Sequence, residues 1–491
     1  MKLIKWTTSL VVALHAIFLP QGAWAQAANL MSERESFVLY DASELNPKEP
    51  GYAWEGSTLL KNIRVIDGMG NPTKAGQDLL ITDGKIKDYG KTGSLRAPSD
   101  ARVIDGDGLT VMPGLIDAHV HVAGGWRGAN DNGYVPIEGK WQLLAFLYAG
   151  ITTVYDTGGV TVIGADAREM VHIGAWVGPE MKISGAMFET ASVGASGANV
   201  LIQVADPGVI GGHLDSYKNV YDIEMVKCHS GTSSQVLRVL VAEAHERGMR
   251  VMCDLWHNNG NPWIARQTHL DGYAHNTFMA VTPNARDAQQ LKEEGTFVIT
   301  TSVLWDSFGA HRMKTDPEGY RQDVATNPLI VDVTPPHYLK NHDEGGIEAL
   351  LGAHKSLADA ILEDIKSPDE MRKDTIAWTK IMVDEGMLVG LGTDVPYGGM
   401  WSGDALHREM EIWVNESKVP PLRTLQAATY DNARIMKMDD RTGSIQKGME
   451  ADLLVVKGNP AKNISDTRNI QYIFNNGKLV DRGSLTRQWK P

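Results

Sequence analysis

The chain of 491 residues is too long for one small core, and a barrel of about 250 residues would leave room for a second domain. Hydrophobic residues at 43%, charged residues at 22% and aromatics at 7% are ordinary globular values, which excludes a disordered or fibrous chain. The formal net charge is −13 with both signs interspersed, which argues against a nucleic-acid or anionic-membrane partner and leaves a small-molecule substrate as the expectation.

Residues 1–25 read as a signal peptide. Lys2 and Lys5 precede an apolar stretch from Leu10 to Leu19, and Ala23-Trp24-Ala25 supplies a small-x-small cleavage pattern. The mature chain would then begin near Gln26, in the periplasm or outside the cell. The apolar run is interrupted by His15 and Pro20 and is too short for a bilayer core of ~30 Å, so no membrane span is expected in the mature protein. Residues 26–56, polar and containing Pro47 and Pro50, read as an N-terminal arm.

Over residues 57–113, short apolar runs such as Ile63 to Ile66, Leu79 to Ile81 and Ala101 to Ile104 are broken by Asp67-Gly68, Asp83-Gly84 and Asp105-Gly106. Turn signals at that spacing predict small antiparallel sheets. The same texture returns over residues 439–485, in Ala451 to Val456 and in Ile470 to Phe474 followed by Asn476-Gly477, so the two segments are expected to build one composite β-sandwich. Between them, residues 114–438 alternate strand-like and helical runs, the pattern of βα units around a parallel sheet. Strands are placed near Ile116–Val122, Thr152–Asp156, Met181–Ser184, Ile223–His229, Arg250–His257, Gly272–Asn276, Thr296–Val303 and Leu388–Asp394. Eight strands predict an α/β fold with a (β/α)₈ TIM barrel. Helices are read over Ser233–Arg247 and Asp369–Glu385. Residues 305–365 form an insertion too long for an ordinary connection, read equally as a lid over the site or as surface decoration. Cys228 and Cys253, the only cysteines, fall in barrel strands and are expected to be two buried thiols.

The chemistry gathers at the C-terminal ends of these strands. In Asp117-Ala118-His119-Val120-His121, positions two apart share a side, so both imidazoles would enter the barrel mouth; alone, the pair fits a metal site or polar surface. Lys227 ends the fourth strand among apolar neighbours, where a cation is expensive unless it is paired or loses its charge. Either a rim ion pair or a carbamate, formed when a neutral amine captures carbon dioxide, satisfies that requirement, and the carbamate could bridge two divalent ions. His257, His275 and Asp394 end the fifth, sixth and eighth strands. Six such side chains suit two divalent metal ions, with zinc the best match and manganese, cobalt or iron as alternatives.

This set resembles the amidohydrolase superfamily with a binuclear, carboxylated-lysine centre. Met112-Pro113-Gly114-Leu115-Ile116-Asp117 is similar to the family's sandwich-to-barrel junction, and Gly443-Ser444-Ile445, Lys447-Gly448 and Ala451-Asp452-Leu453 to its closing sandwich segment. Leu406-His407-Arg408-Glu409 and Ala427 to Ala433 resemble the last helices of the prolidase-like and imidazolonepropionase-related branch, and the likeness covers residues 57–485. The resemblance implies that His119, His121 and Asp394 hold a buried metal. It further implies that carboxylated Lys227 bridges to a second metal on His257 and His275, and that a shared hydroxide attacks the substrate. Asp394 would take the hydroxide's proton and pass it to the leaving group. The family's habit of associating implies a homo-oligomer by analogy alone.

The sequence departs from the family around the substrate. Where many prolidase-like members carry Gly-Gly-His after the third strand, this chain reads Ala191-Ser192-Val193-Gly194-Ala195, while Gly211-Gly212-His213 comes later with its histidine read as facing solvent. Asn258-Asn259 follow His257, where relatives often have a second histidine. Hydrolysis of the amide bond of a dipeptide, Xaa-Pro or N-acyl amino acid substrate is the leading expectation. Lactone, organophosphate or cyclic-amide hydrolysis on the same two metals is the alternative. A ring deaminase in this family usually has one metal and a glutamate soon after the fifth-strand histidine, and a non-catalytic binding protein would be expected to lose a ligand. Arg127, as a bidentate carboxylate holder, and Trp305 and Tyr397, as pocket walls, are candidate substrate contacts.

Overall fold

The computed structural model describes residues 51–123, 136–190, 200–254, 262–277, 281–308, 311–335, 339, 367–396 and 400–487. The leader, most of the arm, Arg127, the 191–195 loop, His257, Tyr397 and much of the 305–365 insertion lie outside the described residues.

The chain first lays down β1 (Tyr52–Trp54), β2 (Thr58–Val65), β3 (Lys74–Thr82), β4 (Lys85–Lys91), β5 (Arg102–Asp105) and β6 (Leu109–Pro113). Strand β1 falls inside the segment read as an arm. It belongs to the sheet instead, because Tyr52 and Trp54 pair with the end of the chain. The Asp83-Gly84 turn joins β3 to β4 with both residues at positive φ, the hairpin geometry that the dipeptide favours.

Barrel strands follow as β7 (Leu115–Val120), β8 (Ile151–Asp156), β9 (Glu180–Ile183), β10 (Met187–Glu189), β11 (Leu201–Gln203), β12 (Met225–Cys228), β13 (Arg250–Asp254), β14 (Gly272–Ala274), β15 (Phe297–Thr300) and β16 (Val389–Leu391). All pairings among them are parallel, as crossover helices require. The third strand is in two pieces: β9 pairs with β8, and β10 pairs with β12. Gly185 between them takes φ +72°, and a Cβ there would meet the Tyr217 ring at 2.9 Å. The eighth strand meets the first where Thr393 and Asp394 donate backbone hydrogen bonds to His119 O and His121 donates to Val395 O.

Alternation along the strands separates two environments. Ile116, Ala118, Met225, Met252, Ala274, Phe297 and Ile299 pack together inside the barrel. Val226, Cys228, Val251, Cys253, Val298 and Val389 face the surrounding helices. Helices Ser234–Glu246 and Pro368–Asp384 lie within a residue of their expected spans, started by Ser233 and by a Ser367/Glu370 capping box. Cys228 and Cys253 are buried as expected but are not thiols. Adjacent register in β12 and β13 sets their Cα atoms 4.6 Å apart, and the structure joins them in a disulfide.

After the barrel, β17 (Leu453–Lys457), β18 (Ile470–Asn475) and β19 (Lys478–Val480) complete a nine-stranded sheet ordered β1-β19-β18-β17-β6-β2-β3-β4, with β5 on β2. Strand β17 is hydrophobic on both faces: Leu453 and Val455 join the sheet's own core, while Leu454 and Val456 join the core of the barrel's helical layer.

Candidate metal centre at the barrel mouth

Strand β7 slips in register against β8 between Asp117 and Val120, an irregularity of the kind that re-aims side chains beside sites. His119 lies within it and His121 just beyond; both are buried, and both present Nε2 to one oxygen of Asp394, at 3.2 and 2.9 Å. The His121 Nδ1 donates to Gly158 O at 2.6 Å, which fixes the tautomer and leaves Nε2 toward the centre. The Lys227 ammonium nitrogen lies 3.1 Å from His119 Nε2. His275 stacks its ring 4.7 Å from that of His119, with its Nδ1 against Thr301 Oγ1 at 2.7 Å. One ligand atom each from His119, His275 and Asp394 falls within 4.8 Å of the others.

His275 and Asp394 hold φ near +67° and +66°, a left-handed backbone costing non-glycine residues about 1–3 kcal/mol each. Asp117 and Asp156 secure the neighbouring backbone. Thr393 Oγ1 donates to Asp117 at 2.8 Å, and Ala123 N donates to Asp156 at 2.8 Å. Burial pushes the Asp117 carboxyl up to about 8 despite the Thr393 hydrogen bond.

Burial alone would raise the Asp394 carboxyl, but the facing Nε2 atoms of His119 and His121 and the neighbouring His275 hold it well below the usual carboxylate range. Desolvation, followed by the nearby Lys227 cation, keeps His119 well below the ordinary imidazole value, and burial lowers His275. Burial also lowers Lys227, against the opposing pull of Asp394 and Asp254. The result is a buried cluster in which desolvation disfavours protonation of His119 and His275, while an ionised carboxylate lies beside an amine biased toward neutrality. This donor set fits divalent transition ions, and the Nε2 pair converging on one carboxylate oxygen is the observation that shows the fit.

The structure thus brings together His119, His121, Lys227, His275 and Asp394; the expected fifth-strand ligand His257 lies outside the described residues, as do Arg127 and Tyr397. Trp305 is only 2% exposed and donates from Nε1 to Thr277 Oγ1 at 2.8 Å, so it packs in the core instead of forming a wall open to a ligand. His213 is half-buried on the helix Ile210–Tyr221, where it meets the outward-facing Phe188 ring, away from the barrel interior. Two groups were missed. Asp254 ends β13, buried, with Oδ2 3.6 Å from His275 Nε2. Glu189 ends β10, buried, and accepts from His229 Nδ1 at 2.6 Å, while its Oε2 has no partner among the described residues. The available signal for Glu189 was a lone acid closing an apolar run; at Asp254 the run continues through Leu255-Trp256.

Residues 110–480 match the model of the Amidohydrolase family. A dihydroorotase of Geotalea daltonii is 52% identical over 64 residues, 13% of this chain and 14% of that protein, so the chain matches only a small part of that relative. An imidazolonepropionase of Christiangramia forsetii is 21% identical over 424 residues, 83% of this chain and 93% of that protein. Among solved structures, a Xaa-Pro dipeptidase with bound methionine superposes with a TM-score of 0.65 at 20% identity, covering 86% of this chain and 99% of that one. With a barrel fold of that shape and a family match running from β6 to β19, the chain belongs to the Amidohydrolase family.

Proposed function

We propose that the protein is a metal-dependent hydrolase that cleaves the amide bond of a small dipeptide, Xaa-Pro or N-acyl amino acid substrate. The observation that carries this reading is the meeting of two imidazole Nε2 atoms on one oxygen of Asp394 beside a buried Lys227 at the barrel mouth. His119, His121 and Asp394 would hold one divalent ion, and Lys227, His275 and a fifth-strand donor the other. When bound, the ions supply Lewis acidity toward the carbonyl and water activated for attack. Lys227, kept toward its neutral amine by burial, would bond through Nζ to the carbon of carbon dioxide and release one proton, leaving an anionic carbamate. Asp394, ionised and aimed at the same centre, would accept the proton of the attacking water and return it to the leaving nitrogen. Zinc is the preferred metal, and export through residues 1–25, giving a mature start near Gln26, belongs to the same reading.

The test is a panel of dipeptides, N-acyl amino acids, lactones and cyclic amides, run with chelated protein and again after zinc, manganese or cobalt is restored with bicarbonate. Metal-dependent cleavage of linear amides is expected. Turnover confined to lactones or cyclic amides, or unaffected by chelation, would overturn the proposal.

A further inference from the structure

We infer that Asp254, at the end of β13, is the fifth-strand donor to the second metal ion, the place that the sequence reading gives to His257. The inference rests on the two-metal reading above. Along β13 the alternation is set by its neighbours: Met252 packs inside the barrel, Cys253 faces the helices, and Asp254 returns to the inside. Register places Asp254 beside Ala274, the residue before His275, and Met252 beside Lys227. Asp254 therefore stands between the two groups already assigned to that ion.

The contact with His275 distinguishes a ligand from a support. A carboxylate that merely orients a ligating histidine sits on the nitrogen that does not bind the ion. His275 already uses Nδ1 against Thr301 Oγ1, and Asp254 faces Nε2, the atom left for the metal. Their separation of 3.6 Å is longer than a good hydrogen bond. It is close to the edge of about 3.3 Å between two donors that share a tetrahedral ion with bonds near 2.0 Å. Asp254 is 3% exposed, and its charge acts on both His275 and Lys227. With Asp254 and a carbamate, the second ion would have an oxygen-rich shell, which suits manganese better than an all-histidine shell does.

Elemental analysis after loading with manganese or zinc and bicarbonate provides the test, with folding followed by circular dichroism. Wild type should hold two ions per chain, Asp254→Asn and Asp254→Ala one, and His257→Ala two. Asp254→His, which restores a donor, should again hold two and shift the manganese-to-zinc ratio toward zinc. Two ions in Asp254→Ala, one in His257→Ala, or one in a folded Asp254→His would overturn the assignment while leaving the two-metal reading intact. Fewer than two ions in loaded wild type would overturn both.

Discussion

In the proposed function Lys227 is the residue on which the chemistry turns, because a buried amine beside His119 is either a bridging carbamate or a cation paired with the carboxylates around it. Lys227→Ala should lose metal and activity together, and short carboxylic acids should restore part of the rate by occupying the vacated space. Lys227→Arg should be no better than alanine, since guanidinium stays cationic and forms no carbamate. A fully metallated, active arginine variant would refute the bridge. His407 makes a prediction of the opposite kind, about stability alone. It is buried between Thr467 and the Ala149 carbonyl, and burial, reinforced by Arg468, lowers its pKa to about 4. The unfolded chain therefore takes up this proton first, so the stability contributed by neutral His407 is intact above pH 6.5 and is lost as the pH falls toward 4. That window corresponds to roughly 3 kcal/mol. Urea unfolding of wild type and His407→Gln at pH 7 and pH 5 should show a shallower decline in the variant.

At the scale of elements, the seam between the first and last barrel strands is held by backbone hydrogen bonds at His119 and His121 and, towards the other end, by one side chain. Asn432 Nδ2 donates to Ile116 O at 2.6 Å and to Leu391 O at 2.8 Å, while its Oδ1 accepts from Leu391 N at 3.0 Å. Asn432→Ala would leave three buried backbone groups short of partners, a loss of about 3 kcal/mol. Because His119 and Asp394 ride on the two joined strands, metal affinity should fall as well; isothermal titration and urea unfolding check the two effects. The candidate residues His119, Lys227, His275 and Asp394, at or just past the ends of β7, β12, β14 and β16, could be picked out because each closes an apolar run. Asp254 could not, because Leu255-Trp256 prolong the apolar pattern and carry the reading on to His257. The disulfide was hidden for a different reason: two cysteines 25 residues apart become neighbours only through the register of β12 on β13. The break in the third strand at Gly185 likewise depends on Tyr217 and Thr161, which come from two helices remote in sequence.

Across the whole molecule, sheet and barrel are one compact unit built around β17, whose alternate residues enter two different cores. The composite arrangement was legible from the turn-rich texture at both ends of the chain, but the two-faced strand was not, since Leu453 to Val456 is uniformly apolar. Ending the chain after Gly448 would remove β17, β18 and β19 and uncover β6 along Leu109–Pro113. The shortened protein should be recovered in aggregates, whereas deleting only residues 488–491 should leave solubility unchanged; sedimentation of the two lysates compares them. The same geometry bears on the order of manufacture. Leu109 and Lys457, partners in the finished sheet, are separated by nearly the whole barrel, so a chain emerging from its N-terminus carries an open edge through most of its synthesis. The strands that carry the candidate metal site are all made before that edge can close, and β17, β18 and β19 decide whether they stay in solution.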